Sequence, residues 1–239
     1  MLQLKNRYAG RRAFVIGNGP SLRQTDLSKL SGEVTIGSNG IFLLTQEKGF
    51  RPTFYTVEDR LVAEDRSSAI CQYKGVIKIV PLDLSPWVHP DEDTVYINFV
   101  RHPRPFPQFS PAFEQYVCWG GTVTFLNLQL AYYLGIREVY LIGVDHTYHP
   151  PARKDEVSGT VVTSRSIDLN HFHPDYFGPG YRWHEPQVER MEVAYREADR
   201  FFKKHGRRIV NATVGGQLEV FPRVELEAIV ANKVTHGVA

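Results

Sequence analysis

Short apolar runs recur along this 239-residue chain, each breaking into a glycine-rich or polar turn. Seven of them read as strands: Ala13 to Ile16, Val34 to Gly37, Pro52 to Thr56, Val76 to Val80, Thr94 to Val100, Val139 to Gly143 and Arg208 to Val210. Continuous apolar runs of this length suit strands buried on both faces. Two longer segments carry helical patterns. Thr122 to Leu134 is apolar on nearly every side, which predicts a helix buried against the sheet, with Thr122 capping its start and Gly135 ending it. Pro186 to Lys204 repeats Val188, Met191, Ala194, Tyr195, Ala198, Phe201 and Phe202 at helical spacing, which predicts an amphipathic helix facing the core. Lys203, Lys204 and His205 suit its negative C-terminal end. The alternation as a whole predicts an α/β fold, a mostly parallel sheet with helices on both faces.

Two segments carry no readable period. Residues 101–119 are dense in proline and aromatics, and residues 146–185 in histidine, proline and tyrosine. Loops of that length in a compact chain are commonly lids or binding loops, and 146–185 is assigned here as lid-like. Neither an internal repeat nor a low-complexity linker divides the chain, so residues 1–239 are expected to form one domain.

Chemistry enters at the strand ends. In open α/β sheets ligands bind beyond the carboxyl ends of the strands, near the point where the strand order reverses. The first strand runs into Gly17-Asn18-Gly19-Pro20-Ser21. Glycines permit a sharp turn and close approach, and Pro20 suits the first position of a helix, whose N-terminus would attract an anion. The turn lacks the third glycine of a dinucleotide fingerprint and the lysine of a P-loop. Other strand ends supply Asn39, Glu58 or Asp59, Asp145 and Asn211.

A net charge of +2 argues against bulk electrostatic binding to nucleic acid. Cys71 and Cys118 make no disulfide framework, which points to reduced thiols in a cytoplasmic protein. No apolar run reaches the roughly 18 residues of a membrane span. The basic start, with Lys5, Arg7, Arg11 and Arg12, suits either a solvated lead-in or peripheral contact with an anionic membrane. His171, His173 and His184 are candidates for a general base, since an imidazole titrates in the range needed to take a proton from a hydroxyl. The histidine spacings show no helical H-x-x-x-H and no cysteine partner, so no metal is expected.

The segments GNGPSL, SNGIF, FYTVED and GGTVTFLNLQLAYYLGIREVYLIGVDHTY together resemble the bacterial sialyltransferases of glycosyltransferase family 42. They also resemble a wider Rossmann-like family that includes flagellin nonulosonate-transfer proteins and 6-hydroxymethylpterin diphosphokinase-like proteins. The resemblance spans about residues 13 to 225 and is loose over the middle and over 146–185. It implies a single-domain, GT-A-like variant of the Rossmann-like fold that transfers a sugar from a CMP-activated donor without a metal or other cofactor. The transferred sugar would be a sialic acid-like nonulosonate or Kdo-type residue. By position, Asn18 and Asn39 would meet the donor's phosphate and ribose region, and Gly121 and Thr122 would hold the nucleotide. Asp145 matches the Gly-x-Asp turn, Tyr148 a catalytic tyrosine, and His184, just before the amphipathic helix, is the first expectation for the base. Thr56 followed by Glu58 and Asp59 departs from an asparagine in the family's third strand, and Gly-Gly-Thr departs from a Thr-Ser-Gly turn.

The expected partners are a nucleotide-sugar donor and a glycan or lipid-linked glycan acceptor, with no nucleic acid. A lipid-linked acceptor would bring the protein to the inner membrane face, and exposed aromatic loops would suit contact with a second copy. Two rival readings stay open on the same residues. One is a Mg²⁺-dependent diphosphokinase using Glu58, Asp59 and Asp145. The other is a non-catalytic nucleotide-sugar-binding module.

Overall fold

A computed structural model describes residues 1–231. Its strands in chain order are β1 (Arg12–Ile16), β2 (Val34–Ser38), β3 (Phe54–Thr56), β4 (Ile77–Pro81), β5 (Thr94–Ile97), β6 (Phe99–Val100), β7 (Val117–Cys118), β8 (Glu138–Ile142), β9 (Glu156–Ser158), β10 (Val161–Thr163), β11 (Arg182–His184) and β12 (Arg208–Asn211). The helices are α1 (Phe42–Lys48), α2 (Arg60–Asp65), α3 (Ser67–Gln72), α4 (Val123–Tyr133), α5 (Val188–Lys204) and α6 (Leu226–Ala231).

Seven strands form one sheet in the order β12-β8-β1-β2-β3-β4-β5, and every pairing in it is parallel. This is the expected α/β, Rossmann-like architecture. Both faces are covered. One core lies under α4 and α5; the other lies under α1, α2, α3 and α6. Burial on both sides is why the strands read as continuous apolar runs. The chain winds outward from β1 to β5, then returns to place β8 on the other side of β1. The strand order therefore reverses between β1 and β8.

α4 matches its pattern closely. The Thr122 hydroxyl accepts from the Thr124 N–H at 3.3 Å and caps the helix. Gly135, just beyond the helix, takes φ +83°, the left-handed conformation that ends it. α5 buries Met191, Ala194, Tyr195, Ala198 and Phe202, and pairs Glu192 with Arg196 and Asp199 with Lys203 on its outer face.

Three expectations change. The single strand over Thr94 to Val100 breaks at Asn98, because β6 leaves the main sheet to pair with β7. The segment 146–185 is not a plain loop: β9, β10 and β11 form a small antiparallel sheet within it. Strands of three residues are too short to show alternation in sequence. Finally, Pro20 does open a helix, but Pro20–Gln24 is a single 3₁₀ stretch rather than an α-helix.

The turn after β1 is packed against the turn after β8. A Cβ on Gly17 would lie 2.3 Å from the Gly143 carbonyl oxygen, and one on Gly19 would lie 1.9 Å from Asp145 Oδ2. The glycines are needed for protein-to-protein approach at the reversal point. Gly17→Ala forces backbone apart and is expected to destabilise the fold by about 3 kcal/mol. At about 2–4 °C per kcal/mol for a chain of this size, its Tm should fall by roughly 6–12 °C in a circular-dichroism melt; an unchanged Tm would show that this contact is not a constraint.

Candidate active site

A cavity of about 850 Å³ opens at the carboxyl ends of β1, β2, β3 and β8, beside the start of α4 and beneath the segment 146–185. It lies where the strand order reverses, the customary ligand position in this architecture.

The segment 146–185 is fastened over it at several points. The Phe172 N–H donates to the Asn18 carbonyl at 2.9 Å. Arg23 donates to the Phe172 carbonyl at 2.7 Å. Arg182, on β11, grips Glu64 at 2.8 Å and Asp65 on α2. Arg66 lies 3.5 Å from the Tyr181 ring centroid and donates to the Tyr176 carbonyl at 2.7 Å. Tyr176 itself is buried, and its hydroxyl accepts from the Gly40 N–H at 3.3 Å. Gly40 permits this seat, since a Cβ there would lie 2.5 Å from the tyrosine ring.

The residues expected at the site divide into three groups. Gly17, Asn18, Gly19, Asn39, Glu58, Gly121, Thr122, Asp145, Tyr148, His171 and His184 all line the cavity. Pro20, Ser21 and His173 do not line it. His173 faces elsewhere, with Nε2 3.1 Å from Glu47 and Nδ1 accepting from the Asp175 N–H. Asn211 is absorbed by its own turn, donating to the Leu218 carbonyl at 3.0 Å and accepting from the Thr213 N–H at 3.0 Å.

Asp145 requires a correction. The start of the 3₁₀ helix is not an open anion site, because Asp145 already occupies it. Its carboxylate accepts from the Ser21 N–H at 3.0 Å and from the Ser21 hydroxyl at 2.7 Å. The Gly17 and Gly19 N–H groups bond the Ile142 and Gly143 carbonyls. The turn supplies Asn18 to the cavity, not a nest of free donors.

Buried polar atoms without partners gather here. Asn18 Oδ1, Asn39 Oδ1 and Glu58 Oε2 are buried and unbonded, as is His146 Nδ1, while His146 Nε2 lies 3.5 Å from Glu192; all four residues line the cavity. Such atoms are costly unless something met in function satisfies them. Asn39 and His146 also hold left-handed backbone, at φ 51° and 55°, a strain that clusters at functional sites.

Two titratable arrangements stand out. His171 Nδ1 lies 2.7 Å from Asp168 Oδ2, and its ring stacks on Tyr176 at 3.9 Å. Burial pushes the Asp168 carboxyl up, but the imidazole and the N–H groups of Asn170 and Phe177 outweigh it and hold the carboxyl below its ordinary range. A carboxylate that orients an imidazole this way leaves Nε2 as the working nitrogen. His184, on β11, is exposed and lies 3.8 Å from Asp59, which also caps α2. Burial raises the Tyr148 phenol well above its ordinary value. Burial first, and then the Asp59 charge, raise the Glu58 carboxyl from 4.5 to about 8, with Arg101 opposing.

Sequence reasoning missed Asp168 and Arg190. Asp168 stands three residues before His171, a spacing that the local loop turn converts into contact. No periodicity marks it.

A Mg²⁺ site of Glu58, Asp59 and Asp145 does not fit these side chains. Asp145 is engaged through both oxygens by Ser21, and Asp59 caps a helix. Among the described residues no group of three histidine, cysteine or carboxylate side chains is arranged to hold a metal.

Fold and site together define a parallel α/β domain with a ligand cavity at its topological switch point. The chain belongs to the family described as 6-hydroxymethylpterin diphosphokinase MptE-like, whose profile matches residues 1–150. In fold it is similar to the MAf glycosyltransferase from Magnetospirillum magneticum AMB-1, with 20% identity and a TM-score of 0.54. That likeness covers 92% of this chain and 34% of the other, so the chain spans about a third of that protein's length. No curated protein matches the chain. Among the described residues no helix is long and apolar enough to cross a membrane, and both cysteines are free.

Glu58 predicts a pH dependence. Below its unfolded value of 4.5 the carboxyl is protonated in both states; from there to about 8 only the unfolded chain releases the proton. Its contribution to stability therefore falls across that window and is lost as pH rises through about 8. Glu58→Gln keeps the shape of the neutral acid. It should match the wild type in Tm at about pH 4 and exceed it by several degrees above the folded-state value. Parallel Tm profiles for the two proteins would refute the neutral carboxyl.

Proposed function

We propose that this chain is a transferase that moves a sugar from a CMP-activated donor to a glycan acceptor, acting as one domain and without a metal. The observation that carries the reading is the cavity at the β1–β8 reversal, which joins unsatisfied carboxamide oxygens on Asn18 and Asn39 to an imidazole set by a carboxylate. A carboxamide oxygen accepts hydrogen bonds from amino or hydroxyl groups, which nucleobases and sugars both present. The imidazole offers a base for the acceptor hydroxyl. Transfer would break the bond from the anomeric carbon to the donor phosphate and form one to the acceptor oxygen. The proton would pass to the histidine, and cytidine monophosphate would leave.

Of the candidate bases, His171 has the better support, because Asp168 fixes its tautomer and Tyr176 its plane. His184 lacks an equivalent close partner and is the second choice. The proposed donor sugar is a nonulosonate or Kdo-type residue and the proposed acceptor a glycan or lipid-linked glycan. The proposed setting is the cytoplasm or the inner membrane face.

A second reading is favoured by the family match, whose description names a pterin diphosphokinase. It requires Mg²⁺ held by carboxylates, and the Asp145 carboxylate is already engaged through both oxygens by Ser21.

Differential scanning fluorimetry with CMP, CDP, UDP and ATP, each with Mg²⁺ and with EDTA, separates the two. CMP at about a hundredfold above its Kd should add ~2.7 kcal/mol, several degrees in Tm, and do so equally in EDTA. A strictly Mg²⁺-dependent response to ATP alone would overturn sugar transfer in favour of the diphosphokinase. His171→Ala should leave the CMP shift intact and lower release of CMP from the donor by roughly a hundred- to ten-thousand-fold. Undiminished turnover in that variant would move the role to His184.

A further inference from the structure

Three arginines line the cavity: Arg60, Arg101 and Arg190. Two of them have their charge met within the protein. Arg60 pairs with Glu64 at 2.7 Å, and Arg101 pairs with Asp83 at 2.5 Å. Arg190 pairs with no carboxylate among the described residues; its one polar contact is with Gln187 at 3.5 Å. It is nevertheless held in place. Its guanidinium lies 4.5 Å from the Phe106 ring centroid and 4.5 Å from that of Trp119. The two rings are themselves in contact, with centroids 5.9 Å apart.

Aromatic faces attract the flat side of a guanidinium and leave its N–H groups, which lie in its plane, available at the edge. That edge matches the paired oxygens of a carboxylate or phosphate. Arg190 is half-buried, so an oxyanion bound there is shielded from bulk screening. Two parts of the fold make the arrangement. Arg190 comes from the first turn of α5, and both rings come from the proline-dense stretch 101–119 that showed no period in sequence. The guanidinium stem also passes over the turn before α4, where a Cβ on Gly121 would lie 3.8 Å from Arg190 Cγ.

We propose that Arg190, clamped by Phe106 and Trp119, is the oxyanion-binding residue of the cavity and takes a phosphate or carboxylate carried on a sugar-bearing ligand. Two sources carry that chemistry. One is the phosphate of the nucleotide donor; the other is an acidic group on the acceptor. Calling the ligand donor or acceptor rests on the sugar-transfer reading, but the oxyanion contact does not.

All three tryptophans of the chain, Trp87, Trp119 and Trp183, line the cavity, so intrinsic fluorescence reports its occupancy directly. The test titrates the wild type, Arg190→Gln and Arg190→Lys with CMP, glucose 1-phosphate, glucuronic acid and glucose. Arg190→Gln should weaken the charged ligand by about ten- to a hundredfold and leave glucose unchanged. Arg190→Lys should recover part of the loss, because it restores charge without the planar edge.

Loss confined to CMP supports the proposal and assigns Arg190 to the donor phosphate. Loss confined to glucose 1-phosphate and glucuronic acid supports it and assigns Arg190 to the acceptor. Equal affinity of wild type and Arg190→Gln for every charged ligand overturns it, as does an equal loss for glucose. So does a wild type that binds none of the charged ligands. If the charged sugars bind through Arg190 while CMP does not bind at all, sugar transfer from CMP fails and the oxyanion subsite stands.

Discussion

The carboxylate of Asp145, seated on the Ser21 N–H and hydroxyl, is the interaction on which the rest of the structure depends. It joins the exit of β8 to the exit of β1 at the one place where a parallel sheet of this kind reverses its strand order. The Gly143 carbonyl and the Gly19 N–H bond across the same seam at 2.9 Å. Asp145 also ties in the turn after β12, since its carbonyl accepts from the Gln217 N–H at 2.7 Å. A negative charge at the start of a helix is favourable there for the same reason that a phosphate would be. Here the protein supplies its own anion, and the cavity begins beyond it.

That seam explains the division of labour at the strand ends. Side chains that would otherwise be available to a ligand hold the frame: Asp145 and Ser21 at the seam, Asn211 in its turn, Asp59 at the cap of α2. Side chains left with an unsatisfied oxygen by the frame line the cavity: Asn18, Asn39 and Glu58. The segment 146–185 completes the enclosure because arginines from both sides of it make bonds that bridge it to the body: Arg23 and Arg66 from the body, Arg182 from β11. Burial raises the Glu58 carboxyl to about 8, and the local turn within the segment brings Asp168 against His171.

Much of the architecture was legible in the residues. The seven-run pattern anticipated the parallel sheet, and Thr122 and Gly135 marked both ends of α4 because capping is a local matter of one side chain and one backbone angle. The cavity position came from topology, and most of the strand-end residues do line it. Where the reading went astray, the cause was non-local. Nothing near Ser21 in sequence says that a carboxylate 124 residues away will occupy its N–H. Nothing near His173 says that Glu47 will draw it away from the cavity. The strands β9 to β11 are too short to leave an alternating signature, so a small sheet read as a loop.

The sequence by itself determined the fold class, the covered sheet, the ends of the main helices and the general place where a ligand must sit. Each of these comes from hydrophobic period, turn chemistry or chain winding, which act over a few residues or over the order of elements. Tertiary structure decided which polar side chains serve the frame and which serve the site. Asp145 and Asn18 are both polar groups at the ends of neighbouring strands, and only the contact with Ser21 separates their roles. Arg190 and Arg60 are both arginines stacked on tryptophan at the cavity wall, and only the reach of Glu64 neutralises one and leaves the other uncompensated. Partner choice is set by distances of a few ångströms between residues far apart in the chain, and these exist only once the sheet has closed.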